Sequence, residues 1–209
     1  MKNTRGVLDF DMEQVAIELQ HINVKLPVRD SAGVDWAAVV PVFHTWIQGQ
    51  IFDELLLDVA DYSHVPEGPG VVLIGHEADY ALDNTDGRLG VRYNRKAPWP
   101  GTNQDRLAQA ARAALTAAQR LEQDLNLYIR GNEVEIVIND RLVAPNTQET
   151  RQAAEPELKR FLDQLFDGPD YALTYPAEPR RLFGVTVGAQ REFSASGLLT
   201  NLDRRSGRE

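Results

Sequence analysis

The chain contains no cysteine, which removes disulfide staples, thiolate nucleophiles and cysteine-based zinc sites. A protein that needs no covalent cross-links is expected in a reducing, cytoplasmic setting. Positive charge is also scarce: 22 lysines and arginines face 31 aspartates and glutamates, a formal net charge of −9. Duplex binding draws its affinity from neutralised phosphates. The basic clusters here are small (Arg92, Arg95 and Lys96; Arg180 and Arg181; Arg204 and Arg205), so no nucleic-acid partner is expected. No apolar run reaches the roughly 18 residues that a bilayer crossing requires. The opening MKNTRGVLDFDMEQ lacks the apolar core of a secretory signal. A soluble chain without membrane association is the expectation.

What is present is ordinary globular material: 209 residues, 43% hydrophobic and 25% charged, enough for one generous domain. Residues 1–13 are polar and read as loosely ordered. Val15, Ile17 and Leu19 alternate with polar residues as a half-buried strand does, and the phase flips at His21-Ile22 before continuing through Val24, Leu26 and Val28. Residues 35–50 place Val39, Val42, Phe43, Trp46 and Ile47 on one helical face, with Pro41 as a kink or a first turn. Short apolar runs at 55–59 and 71–74 read as strands. Tyr80 and Leu82 face Leu89, Val91 and Tyr93 across Asp86-Gly87 as a hairpin. The clearest helix spans 103–125, capped by Thr102 with Asp105 in the box position and carrying Leu107, Ala111, Ala114, Leu115, Ala118 and Leu121 as its buried stripe.

A second hairpin is expected from Leu127 and Ile129, through Gly131-Asn132, to Val134, Ile136 and Ile138. Asn146 is expected to cap a further helix carrying Leu158, Phe161, Leu162 and Leu165, with Pro156 near its start; strands follow around 171–175 and 182–189. Strand, proline-bearing helix, strand and strand thus recur, Pro156 lying 115 residues after Pro41. The expected fold is α+β: a mixed, largely antiparallel sheet under about three helices, organised as one domain over 1–193. Its internal repeat would cover 15–95 and 126–190, two β-α-β-β units joined by the 103–125 helix. Residues 194–209 read as a mobile polar tail.

Chemistry-bearing side chains concentrate in residues 58–83, where two of the four histidines and six carboxylates fall within 26 residues. Asp58, Asp61, Tyr62, His64, His76, Glu77 and Asp79, with Arg92 on the following hairpin, form the candidate ligand-binding patch. Two short oily strands at 55–59 and 71–74 are expected at the heart of the sheet, displaying these groups at their tips. Paired as a hairpin, those strands put His64 and His76 at opposite ends. A metal site of His64, His76, Glu77 and Asp79 is the weaker alternative, since H-E-x-D lacks the second histidine of the helical zinc motif. Ser63-His64 has no nucleophile elbow around it. The glycines at 68, 70 and 75 precede a strand rather than the helix that a phosphate loop opens. Arg92 is expected to pair with Glu77 or Asp79, and Trp99, between prolines, to be an exposed contact anchor.

The run VADYSHVPEGPGVVLIGHEADYALD, with PVFHTWIQ upstream and NDRLVAPNT downstream, resembles a family of uncharacterised bacterial proteins over most of residues 20–190. The resemblance implies a bacterial cytoplasmic origin and carries no catalytic residue with it. Binding of a small molecule or a protein partner, with no cofactor and no catalytic signature, is the leading expectation. A metal-dependent hydrolase built on the histidine patch and a subunit of a larger assembly are its competitors.

Overall fold

The computed structural model describes residues 17–204; the loose segment read at 1–13, Val15 and residues 205–209 lie outside the described residues. Within them the order is β1 (Ile22–Pro27), α1 (Trp36–Gly49), β2 (Leu56–Tyr62), β3 (Gly70–Gly75), β4 (Ala78–Asp83), β5 (Gly90–Arg95), α2 (Asn103–Leu125), β6 (Glu133–Ile138), α3 (Gln148–Leu165), β7 (Tyr171–Thr174), β8 (Phe183–Ala189) and α4 (Ala195–Asp203). The strands form one sheet in the order β2-β3-β4-β5-β1-β6-β8-β7, and every ladder is antiparallel. The fold is α+β, as expected, with four α-helices among the described residues.

Alternation in the strands decides what each face meets. In β1, Ile22, Val24 and Leu26 join the core with Phe43, Leu107, Leu115, Phe161 and Val185. The helices pack on this side, α2 lying on β1 and β5 and α1 on β2 and β3. Asn23 and Lys25 point the other way, into a cleft lined by strand and loop residues. β1 is buried along its whole length because it sits at the middle of the sheet.

Local chemistry explains the helix boundaries. Thr102 and Asp105 form the complete capping box of α2, and the alanines of its buried face let it lie close to the sheet. Asp35 caps α1, and Pro41 sits inside that helix rather than in its first turn. α3 begins after Thr147, whose hydroxyl accepts from Thr150 N, so Asn146 is not the cap; its amide donates to the carbonyls of Pro176 and Glu178 instead. Pro156 lies well inside α3.

Other expectations change more. Residues 17–20 are not a strand: His21 takes a left-handed φ of 51°, and the strand starts only after it. Asn103 instead holds this segment, accepting from Leu19 N and donating to Ile17 O, both at 2.8 Å. The hairpin expected at 127–138 does not form; Ile129 makes a single bridge to Val28, while β6 pairs with β1 and β8. The oily strands are not the heart of the sheet. β2 is its edge and β3 lies next to it, while β5 and β1 form the centre. The tail from 194 is instead a helix capped by Ser194, with Ala195, Leu198 and Leu202 buried. Each half of the chain opens on a central strand followed by a proline-bearing helix and a hairpin. In the first half the hairpin β4-β5 is inserted between that outer hairpin and the central strand.

Candidate functional site

The nominated residues are spread along one side of the sheet. Asp58, Asp61 and Tyr62 lie on edge strand β2, and His64 lies in the turn that follows it. His76 and Glu77 occupy the β3-β4 turn, at the other end of the hairpin, where His76 N donates to Leu55 O at 2.8 Å. Asp61 accepts from Ser63 N at 2.8 Å, and the hydrogen bonds from Ser63 hold its carboxyl below the ordinary range. Glu77 pairs with Arg95 at 2.7 Å and Asp79 with Lys96 at 2.6 Å, so neither is the partner of Arg92. Among the described residues no group of three or more histidines and carboxylates is arranged to hold a metal ion. His44 is exposed on α1. Trp99 is half-buried: its backbone exchanges hydrogen bonds with the Gln20 amide and Arg95 lies over its ring.

Between this patch and the core runs a polar network that nothing in the spacing announced. Glu54 accepts from Glu77 N at 3.1 Å, Tyr93 accepts from the Gln109 amide at 2.9 Å, and Phe52 stacks on Tyr80. Burial pushes the Glu54 carboxyl and the phenols of Tyr80 and Tyr93 upward. These groups close the end of the sheet beneath the β3-β4 turn.

A concave feature lies elsewhere, on the helix-free face. A cleft of about 620 Å³ opens over β1, β5, β6 and β8, walled by the 3₁₀ turn Thr85–Gly87 and by the 175–182 loop. Its volume is that of a small-molecule site. Cross-strand register builds the floor: Arg92, Lys25, Glu135, Thr186 and Thr174 stand opposite one another on five successive strands. The neighbouring row holds Asn94, Asn23, Val137 and Gly184. A side chain at Gly184 would meet the Ile136 carbonyl at 2.8 Å, so glycine keeps that part of the floor flat.

The electrostatics of the floor are unusual for a sheet surface. Lys25, 7% exposed, bonds Asp83, 1% exposed, at 2.6 Å. Asp83 also accepts from the Thr85 hydroxyl at 2.6 Å. Asn23 is 3% exposed and neither its Nδ2 nor its Oδ1 has a partner; the Oδ1 of Asn94, opposite it, has none either. One wall is charged, with Arg88 bonded to Glu133. The other is apolar, made by Tyr175, Pro176 and Leu182. Burial, reinforced by Glu155, pushes the Tyr175 phenol up to about 12, so it stays protonated across the neutral range. Arg181 and Asp86 join the two walls at 2.5 Å.

Of the nominated residues, Arg92 alone lines this cleft; Glu67 and Asp83, carboxylates of the same dense segment, line it too. Asn23, Lys25, Glu135 and Tyr175 were missed. For Asn23, Lys25 and Glu135 the signal was available as alternation: INVKLP and EVEIVI each carry two polar residues at alternate positions of a strand. No protein-family model matches the chain, and no curated protein does. No helix among the described residues is long and apolar enough to cross a membrane.

Proposed function

We propose that the protein binds a small polar molecule in the cleft on the helix-free face of its sheet, without catalysing a reaction there. The carrying observation is the Lys25–Asp83 pair, shut from solvent at the floor of an open cleft. Burying an ion pair gains little over apolar packing of the same volume, so a sheet that needed only a floor has no use for one. The unpartnered amide of Asn23 beside it supports the same reading, because a buried polar group without a partner costs about 1–3 kcal/mol. The wall residues add an apolar surface against which the rest of a ligand can rest. A cysteine-free chain suits a bacterial cytoplasm, in line with the resemblance noted in the sequence.

The test is a fragment screen by amide-resolved NMR on the labelled protein. Binding fragments are expected to move the resonances of Lys25, Val137 and Gly184 together. A screen whose every hit moves residues of β2 and the turns around His64 and His76, leaving these three unmoved, overturns the reading.

A further inference from the structure

Resting on that reading, we infer that the ligand is a zwitterion carrying an amide bond, of the size of a dipeptide. Most ions of the cleft are tightly paired: Lys25 with Asp83 at 2.6 Å, Arg181 with Asp86 at 2.5 Å, and Arg88 with Glu133. Two are not. Arg92 reaches Asp83 only at 3.7 Å, and Glu135 meets Arg88 only at 3.7 Å. Both side chains are 31% exposed, and they have opposite sign. They stand on β5 and β6, the two strands flanking β1, in register with Lys25 between them.

Those backbones are roughly 10 Å apart. Two charge-assisted hydrogen bonds of about 2.8 Å each occupy more than half of that span. Where the two side chains stand upright on their strands, that leaves about 4 Å, and more when the bonds slant, between the charged ends of a ligand; a molecule one or two residues long supplies that separation, its carboxylate on Arg92 and its ammonium on Glu135. Asn23 decides for two residues. It lies on the same face as that row, one pleat away, and its amide has a donor and an acceptor both unmet. A peptide group offers the complementary acceptor and donor; turning the Asn23 amide toward it satisfies both at once. The side chain of such a ligand rests on Tyr175, Pro176 and Leu182.

The probe is alanyl-leucine, titrated by calorimetry and by amide-resolved NMR alongside its N-acetylated form, its C-terminal amide and free leucine. Alanyl-leucine is expected to move the resonances of Val137 and Gly184. Blocking either end, or removing the peptide bond, is expected to weaken binding about tenfold or more. Glu135→Gln should bring the free and N-acetylated forms to equal affinity, and Arg92→Gln should do the same for the free and amidated forms. Equal binding of parent and blocked forms to the wild type overturns the zwitterion. If no dipeptide form binds while neutral or purely anionic fragments still move the cleft resonances, the ligand class is wrong and the cleft stands. If nothing moves them, both fall.

Discussion

Two regions of this molecule carry dense charge, and they handle it in opposite ways. Around the β2-β3-β4 turns the carboxylates come from one stretch of chain, Asp61 and Glu77 exposed and Asp79 half-buried, and are satisfied by neighbours in sequence or across one hairpin. Asp61 holds Ser63 N, Glu77 holds Arg95 and Asp79 holds Lys96. In the cleft the polar groups come from β1, β4, β5, β6 and the 175–182 loop, and several are buried. One region is a set of locally closed turns. The other leaves an amide and two ions incompletely met over an open volume. Density of reactive residue types along the chain marks the first region; only long-range pairing creates the second.

The largest effect that separates the two regions is expected from Asp83→Ala. It strands the Lys25 ammonium in a buried site, and chemical denaturation should record a loss of about 3–5 kcal/mol. Replacing both partners with Lys25→Met and Asp83→Leu should recover most of that loss. A large deficit in the double variant would mean that the pair itself holds the fold. Next comes Asn23→Leu, which removes an unmet amide; the unfolding free energy from chemical denaturation should stay put or rise by about 1 kcal/mol, while fragments lose affinity for the cleft. A clear destabilisation would mean that Asn23 is already satisfied, and would erase the contrast between the regions.

At the turn side, Glu54→Gln tests whether burial is the dominant influence on that carboxyl. Its pKa is raised in the fold, so the folded state holds the proton more tightly than the unfolded state, and ionisation at neutral pH costs stability. That cost is present above the raised pKa and fades as pH falls, vanishing below the ordinary glutamate range of about 4. The variant should therefore be more stable than wild type at pH 7 and indistinguishable from it at pH 3, by thermal unfolding. The smallest effects belong to His64→Ala and His76→Ala, each expected to change stability by less than about 0.5 kcal/mol and to leave cleft ligands bound.

What could be read from the sequence was whatever short-range chemistry decides. The limits of α2, its Thr102 cap and its alanine-rich buried face follow from residues within one or two turns of each other. The Tyr80-Tyr93 and Leu82-Val91 pairings follow from a nearby turn. Burial of a strand depends on its neighbours, which is why the oiliest strands, at 55–59 and 71–74, were placed at the centre although β2 is the edge. Leu57 illustrates the point: it is apolar yet exposed, beside the bulge where the register of β2 shifts. Asn146 was a sound cap by type, but Thr147 was one residue closer to the helix it serves. The cleft was hidden because Lys25, Asp83, Arg92 and Glu135 share no local pattern. They meet only after the β1-β5 and β1-β6 ladders have formed.

Those two ladders also bear on how the chain reaches its native state. Ile22 pairs with Ile138, 116 residues later, whereas β2-β3, β3-β4, β4-β5 and β7-β8 join neighbours along the chain. Closing distant contacts before they are rewarded slows folding, so the hairpins are expected to assemble first, as two separate half-sheets. Until the seam between β1 and β6 zips, each half-sheet offers an unsatisfied inner edge. That interval is when self-association competes most strongly with the native fold, and refolding yield should fall with protein concentration.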